Sequence, residues 1–590
     1  MTLSTLDWTI IGAFLVISLL IGVIVSRQSG KSSADFFLSG RNMPWWLLGV
    51  SMVATTFSAD TPNLVTDLIR KDGVAGNWVW WAFLITGMMT VFIYAKLWRR
   101  SGILTDLEFY ELRYSGKEAA FLRGFRALYL GVVFNVLIMA TVCLAAIKIG
   151  STLLGLEPMQ TLLIASVVTV AYSAVGGLRG IILTDFFQFI IAMIGTIWAA
   201  YFIVNMPQVG GLDALVTHEN VIGKMDLLPD FNNTEALVSL LIIPLAVQWW
   251  AAYYPGAEPG GGGYIVQRML SAKDEKNAVG ATLLFNIAHY ALRPWPWILI
   301  ALASLIVFPD LDAIRTAFPN IAESVIDDDL AYPAMLTYLP KGLLGIVIAS
   351  LVAAFMSTIS THLNWGSSYI VNDFYKRFVN TEASEKKQVM IGRISTVILM
   401  IFAAFIALQL QNAKEAFDII VLMGAGTGLL FILRWFWWRI NAYSEIAAMI
   451  ISFVVAVIFK FILPKGTFEG HVELLLSVAI TTVGWIAVTL MTPAVERKTL
   501  IDFYNLIKPH KGGWQPVIQE GIANEQINPN EVTTGKLPQE LTGMFAGIFL
   551  VYGVLFTTGL FLYGQLTHAL IGAVISVVAG VLLWRSWQKV

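Results

Sequence analysis

A chain of 590 residues with one cysteine, Cys143, can form no intrachain disulfide and no cysteine-based metal site. That cysteine reads as a small apolar filler. Charge is also scarce. Charged residues are 13% of the total, against about 25% in ordinary soluble domains, so the chain lacks the polar surface of a water-soluble body. The net charge of −1 is uninformative, and no basic tract points to nucleic acid. No basic stretch precedes the first apolar run (7–26) and no A-x-A cleavage site follows it, so it reads as a retained first span rather than a signal peptide.

What is present is apolar. Hydrophobic residues make up 57% of the chain, gathered in stretches of ~20 residues, the length that crosses a ~30 Å hydrocarbon core. Fifteen candidate spans can be placed, near 7–26, 43–67, 76–98, 127–149, 161–177, 180–204, 236–254, 279–308, 342–372, 389–410, 416–437, 442–463, 472–492, 541–563 and 567–586. They are too long for barrel strands and lack the alternation of a barrel wall. The fold class is therefore all-α and polytopic. About 28 of the 38 Lys and Arg residues fall in alternate loops on one side, which predicts a cytoplasmic C-terminus and an outer N-terminus. The polar segment 493–540 is then cytoplasmic, and reads as a linker or regulatory loop too poor in apolar residues to bury a core of its own.

Two spans are interrupted at membrane depth, where a helix otherwise satisfies its own backbone. One carries Ala54-Thr55-Thr56-Phe57-Ser58-Ala59-Asp60-Thr61-Pro62. The other ends at Tyr253-Tyr254-Pro255-Gly256-Ala257-Glu258-Pro259, followed by four glycines, 260–263. A packing kink and a plain loop would also explain them. The breaks lie five spans apart, however, and paired broken helices at corresponding places in two halves are the best sequence pointer to a transporter's binding site. The glycines would let the chain between half-helices swing as a cavity opens and closes.

Three further features carry chemistry. Ser357, Ser360 and Thr361 share one helical face, with Thr358 beside them. Such hydroxyls can ligate a hard cation, or they can bond back to their own helix. Asp185 places a carboxylate inside a span at a cost of ~3 kcal/mol, which a cation can offset. His289 and Arg293, four residues apart, precede Pro294 and Pro296. An intramembrane arginine there either meets an anion or caps carbonyls freed by the proline break. Most of the 20 tryptophans read as core or interfacial-belt residues.

Taken together, these residues resemble the sodium:solute symporter family, which includes sodium–glucose, sodium–proline and sodium–sialic acid transporters. The motifs that carry the resemblance are Ala174-Val175-Gly176-Gly177-Leu178-Arg179-Gly180 leading to Thr184-Asp185-Phe186-Phe187-Gln188, then Tyr264-Ile265-Val266-Gln267-Arg268, and a stretch from Ala353 ending in Asn372-Asp373-Phe374-Tyr375-Lys376. The resemblance implies a five-plus-five inverted-repeat core at 43–440 (repeats 43–204 and 236–440), an extra segment at 1–42, and extra spans at 441–590. It implies one sodium held by the carbonyls of Ala54, Phe57 and Ala354 and the hydroxyls of Ser357 and Thr358. A second sodium would use Asp185, Ser360 and Thr361, with Ser357 able to join.

At the solute site the chain departs from the family pattern. His289 stands where sugar carriers have a lysine, and the insertion 255–263 is longer than usual. The candidate solute contacts are Thr56, Asp60, Thr61, Trp80, Gln248, His289 and Arg293. The resulting expectation is a sodium-coupled symporter for a sugar or sugar acid in a plasma membrane, probing the bilayer and a small solute, with no enzyme activity and no obligate protein partner. An amino acid or other organic anion is the alternative solute. A channel or a membrane sensor is a weaker reading, since the breaks suit a closed polar centre and 493–540 is too short for a signalling kinase.

Overall fold

The computed structural model describes residues 3–29, 37–410, 412–464, 466–532 and 536–588. The described residues are overwhelmingly helical and hold two isolated bridges rather than a sheet. The helices used below are α1 (Thr5–Ser29), α2 (Trp45–Thr56), α3 (Asp60–Asp72), α4 (Val74–Ser101), α5 (Gly116–Leu154), α6 (Pro158–Val204), α7 (Thr234–Ala251), α8 (Gly263–Ser271), α9 (Glu275–Val307), α10 (Leu343–Val379), α11 (Glu385–Ala407), α12 (Ala413–Met423), α13 (Gly428–Leu433), α14 (Ala442–Lys460), α15 (Gly470–Met491), α16 (Arg497–Ile507), α17 (Gln515–Ala523), α18 (Leu537–Leu562) and α19 (Leu566–Trp587).

Among the described residues, 11 helical runs are long and apolar enough to cross a membrane, and shorter apolar helices add to them. The all-α membrane architecture read from hydropathy is therefore present. Burial within the protein separates two kinds of span. The most apolar stretch of α10 is 89% buried, whereas those of α11, α18 and α19 are 28%, 28% and 22% buried. An apolar span left open on most of its surface faces lipid, so α10 lies at the centre and α18 and α19 at the rim.

Local structure departs from expectation at three places. The spans expected at 161–177 and 180–204 are joined in one helical run, α6. Its sequence has no proline after the first turn, and Gly176-Gly177 does not by itself interrupt helix; the side chains of 171–177, which include part of the first resemblance motif, lie outside the described residues. The span expected at 416–437 is broken into α12 and α13 across Gly424-Ala425-Gly426-Thr427. That break is filled by the neighbouring one: Tyr253 N–H donates to Gly424 O at 3.0 Å and Gly426 N–H to Ala251 O at 2.8 Å. A Cβ at 424 would collide with the Tyr253 carbonyl.

The third concerns 493–540, read as a linker or regulatory loop, which holds helices of its own. Its helices α16 and α17 are docked on the core through buried Phe503, Tyr504, Trp514 and Ile518. Phe503 and Trp514 stack at 5.5 Å, the Arg113 guanidinium lies 4.8 Å from the Trp514 ring, and Trp514 Nε1–H donates to Trp435 O at 2.9 Å. The segment is too small to form its own core. It borrows one from the chain after α13 and the end of α4, where Arg100 donates to Ile507 O at 2.7 Å.

Candidate functional site

Helices α2 and α3 are one interrupted span, with Phe57, Ser58 and Ala59 between them. A helix end leaves its last carbonyls without partners, and a buried end must find them elsewhere. Thr55 O accepts from the Thr358 hydroxyl at 2.8 Å. Thr56 O accepts from Arg293 Nη1. The next hydroxyl along, Thr56 Oγ1, donates to Val53 O at 3.0 Å. The three residues expected to offer carbonyls to a cation, Ala54, Phe57 and Ala354, line a separate small cavity together with Ser357.

That cavity is about 10 Å³, near the size that holds a single water. It lies between the end of α2, α6 and α10. Ser357 donates its hydroxyl proton to Asp185 Oδ1 at 2.5 Å, which commits the hydrogen and leaves oxygen lone pairs as the group's remaining offer. Backbone carbonyls and such a hydroxyl are neutral oxygen ligands of the kind a hard monovalent cation takes. Thr358, the adjacent residue on α10, does not line this cavity. One residue further round the helix, it bonds Thr55 O and faces the larger cavity described below.

Asp185 is fully buried behind Ser357. Its other oxygen accepts from Ser51 at 2.6 Å, and Arg268 Nη2 lies 3.8 Å away. The same guanidinium donates to Thr361 Oγ1 at 3.0 Å and Thr55 Oγ1 at 3.3 Å. Arg268 thus touches two members of the second expected cation set, Asp185 and Thr361. The third, Ser360, donates to Ser357 O at 3.1 Å, within its own helix. Arg268 was part of a resemblance motif without an assigned role; the signal available was a charged residue set between Ile265-Val266 and Met269-Leu270.

The larger cavity, about 110 Å³, opens beside the break between α2 and α3. Thr56, Asp60, Thr61, Trp80, His289 and Arg293 all line it, six of the seven expected solute contacts. Gln248 does not. Its amide donates to Val79 O on α4 at 2.5 Å and faces a different hollow. Tyr254 and Gly256, from the chain between α7 and α8, and Tyr264, in the first turn of α8, complete the wall.

The polar groups of this cavity are ordered by one network. Arg293 is 1% exposed and uses three nitrogens: Nη1 to Thr56 O, Nε to His289 O at 3.2 Å, and Nη2 to His289 Nε2 at 3.0 Å. A guanidinium can only donate. His289 Nε2 is therefore the acceptor, and Nδ1–H donates to Thr56 Oγ1 at 2.9 Å. Both imidazole nitrogens are spent on positioning Arg293 and the helix break. Opposite in chemistry is Asp60, whose Oδ2 accepts from Thr141 at 3.2 Å while its buried Oδ1 has no protein partner. Trp80 stacks on Tyr290 at 5.7 Å and offers an aromatic wall.

The insertion 255–263 is packed, not loose. Gly260, Gly261 and Gly263 have φ of 76°, 79° and 54°, the left-handed region that favours glycine. A Cβ at 260 would lie 2.8 Å from Phe431 O, and one at 261 would lie 2.9 Å from Trp98 Nε1. Trp98 donates to Gly260 O at 2.8 Å and Gly263 N–H to Asp106 Oδ2 at 3.0 Å. In this conformation these glycines serve a close-packed turn. Gly261→Ala is expected to destabilise by about 1–3 kcal/mol, seen as a lower unfolding temperature of the purified protein. Gly262 has an extended backbone, and Gly262→Ala should lower the unfolding temperature by less than Gly261→Ala, because its Cβ would meet only the buried Glu258 side chain, at 3.2 Å, with no left-handed strain.

Two broken helices that meet beside a cavity carrying polar side chains are the arrangement of a membrane carrier. Comparison with known proteins agrees. The family model for the sodium:solute symporter family matches residues 36–452, and the chain belongs to that family. It is 27% identical to the sodium/glucose cotransporter of Vibrio parahaemolyticus over 480 residues, 78% of this chain and 86% of the relative. It is 23% identical to the sodium/sialic acid symporter of Proteus mirabilis over 466 residues, 76% of this chain and 88% of the relative. The solved structure of a sodium-coupled sialic acid symporter in a substrate-bound, outward-open state superposes with a TM-score of 0.66 at 19% identity, covering 84% of this chain and 99% of that one.

Proposed function

We propose that the protein imports a small polar solute, a sugar or sugar acid, by alternating access driven by sodium. The observation that carries this reading is the lining of the larger cavity. Asp60 offers an acceptor without a protein partner, Arg293 offers donors, Thr61 offers a hydroxyl, and Trp80 offers a ring face. A polyhydroxyl ring needs donors, acceptors and an apolar platform together, which this lining supplies. The same acid and guanidinium also match the amine and carboxylate of an amino acid, and that pairing supports the alternative solute.

The test is a thermal-shift screen of purified protein in sodium, across neutral sugars, their uronic acids and amino acids, followed by solute counterflow in proteoliposomes. Stabilisation by a sugar or sugar acid that disappears when choline replaces sodium is the expected result. Stabilisation by amino acids alone would transfer the assignment to the alternative.

The first sodium is proposed to sit in the small cavity between Ala54, Phe57, Ala354 and Ser357, with Thr358 holding the α2 end in place. A second is proposed at Asp185, Ser360 and Thr361, taken up when Arg268 withdraws. The proposed transport unit is an inverted repeat at 43–204 and 236–440, with the N-terminus outside, the C-terminus and the docked segment 493–540 cytoplasmic, and a plasma membrane as its setting. No protein partner is needed for this cycle.

A further inference from the structure

The small cavity has one wall that the proposed ligand set leaves unused. Gln188, on α6, lines it opposite the broken end of α2. The side chain is 2% exposed, and neither its amide oxygen nor its nitrogen has a hydrogen-bond partner in the protein. A primary amide buried without partners is costly, on the order of 1–3 kcal/mol for each unmet group. Such an amide persists where something absent from the protein itself meets it. Around it Phe189, Ala192 and Ala353 present apolar side chains, and Phe189 packs edge-on against Phe57 at 6.3 Å between ring centres.

We propose that the Gln188 side-chain carbonyl is a ligand of the sodium ion in this cavity, joining Ala54, Phe57, Ala354 and Ser357. The inference rests on the reading of that cavity as a sodium site. Gln188 stands three residues after Asp185, on the same face of α6. One turn of α6 thus addresses the ion twice, directly through the amide and indirectly through Asp185, which orients the Ser357 hydroxyl. A neutral amide oxygen adds a strong dipole without adding a second buried charge beside Asp185. Sodium takes a larger oxygen shell than lithium does, so an extra ligand also favours sodium between the two.

The experiment measures sodium-induced thermal stabilisation of purified protein without solute, with sodium and lithium in parallel, and then the sodium dependence of uptake. Gln188→Leu is expected to raise the half-saturating sodium concentration about tenfold or more. The lithium response should shift less. Affinity for solute at saturating sodium should stay within about twofold, since Gln188 does not line the larger cavity. Gln188→Glu, which retains an oxygen, should keep sodium binding near or above the wild-type level. Ser357→Ala serves as the reference. If it weakens sodium binding while Gln188→Leu does not, the amide serves a buried water and the inference is overturned with the cavity assignment intact. If neither variant moves sodium binding, the cavity assignment falls as well. Should Gln188→Leu fail to fold, Gln188→Asn, which withdraws the same oxygen by one methylene, must show the raised sodium requirement, and wild-type sodium binding in that variant overturns the proposal.

Discussion

Arg293→Lys is expected to weaken solute binding by about 10- to 100-fold, and Arg293→Ala by more, in proteins that still fold. The reason lies in the fork. Three nitrogens of Arg293 meet Thr56 O, His289 O and His289 Nε2, and an ammonium on a flexible stem cannot repeat that spacing. Two consequences follow. The solute loses a donor held in a fixed place, and Thr56 O, at the broken end of α2, loses its cap. Because Ala54 and Phe57 flank that carbonyl in sequence, sodium affinity should fall too, by a smaller factor than solute affinity.

A pair of solutes separates the roles of Arg293. With a neutral sugar and its uronic acid measured side by side, a carboxylate partner makes the loss in Arg293→Lys greater for the acid. Equal losses assign Arg293 to hydroxyl recognition and to capping. Normal transport of a neutral sugar by both variants would remove it from the solute site. Failure of both to reach the membrane in folded form would make it structural alone.

The helix break and the polar stripe were legible in the sequence because their grammar is local. Asp60 and Pro62 in the middle of an apolar span mark a break, and Ser357 and Ser360 mark one polar helical stripe. The structure brings the first to the second. What was not legible depended on which way a helix faces. Gln248 sits close to a break in sequence, yet its amide is spent on Val79 O. The interruption between α12 and α13 was hidden because glycine is frequent in membrane helices, so Gly424-Ala425-Gly426 alone does not announce a break. Arg268 and Gln188 were visible as letters in motifs, but their roles depend on distances across three helices. The docking of Phe503 and Trp514 on Arg113 likewise joins residues about 400 apart in the chain.

Transport is expected to carry two sodium ions per solute, with a Hill coefficient for sodium above one. A tenfold sodium gradient supplies ~1.4 kcal/mol per ion, and a 100 mV potential adds ~2.3 kcal/mol per charge. One ion can therefore concentrate a neutral solute ~500-fold and two can approach ~10⁵-fold. The site geometry makes the second ion conditional. Asp185 has Arg268 3.8 Å away, and Thr361 accepts from the same guanidinium at 3.0 Å, so in this conformation a tethered cation stands where the second sodium would be. Two cations cannot share that carboxylate closely without strong repulsion, and Arg268 must withdraw for the ion to enter. Asp185→Asn should bring the Hill coefficient toward one. It should also raise the sodium requirement of the remaining ion, because Ser357 loses its charged acceptor. Thr361→Val, which spares that contact, should lower the Hill coefficient with little change in the first ion's affinity. Ser357→Ala should nearly abolish coupling. Reversal potentials in wild-type proteoliposomes decide the count: a value of one sodium per solute would leave Arg268 as the permanent partner of Asp185 and reduce that pair to orienting Ser357 behind a single ion.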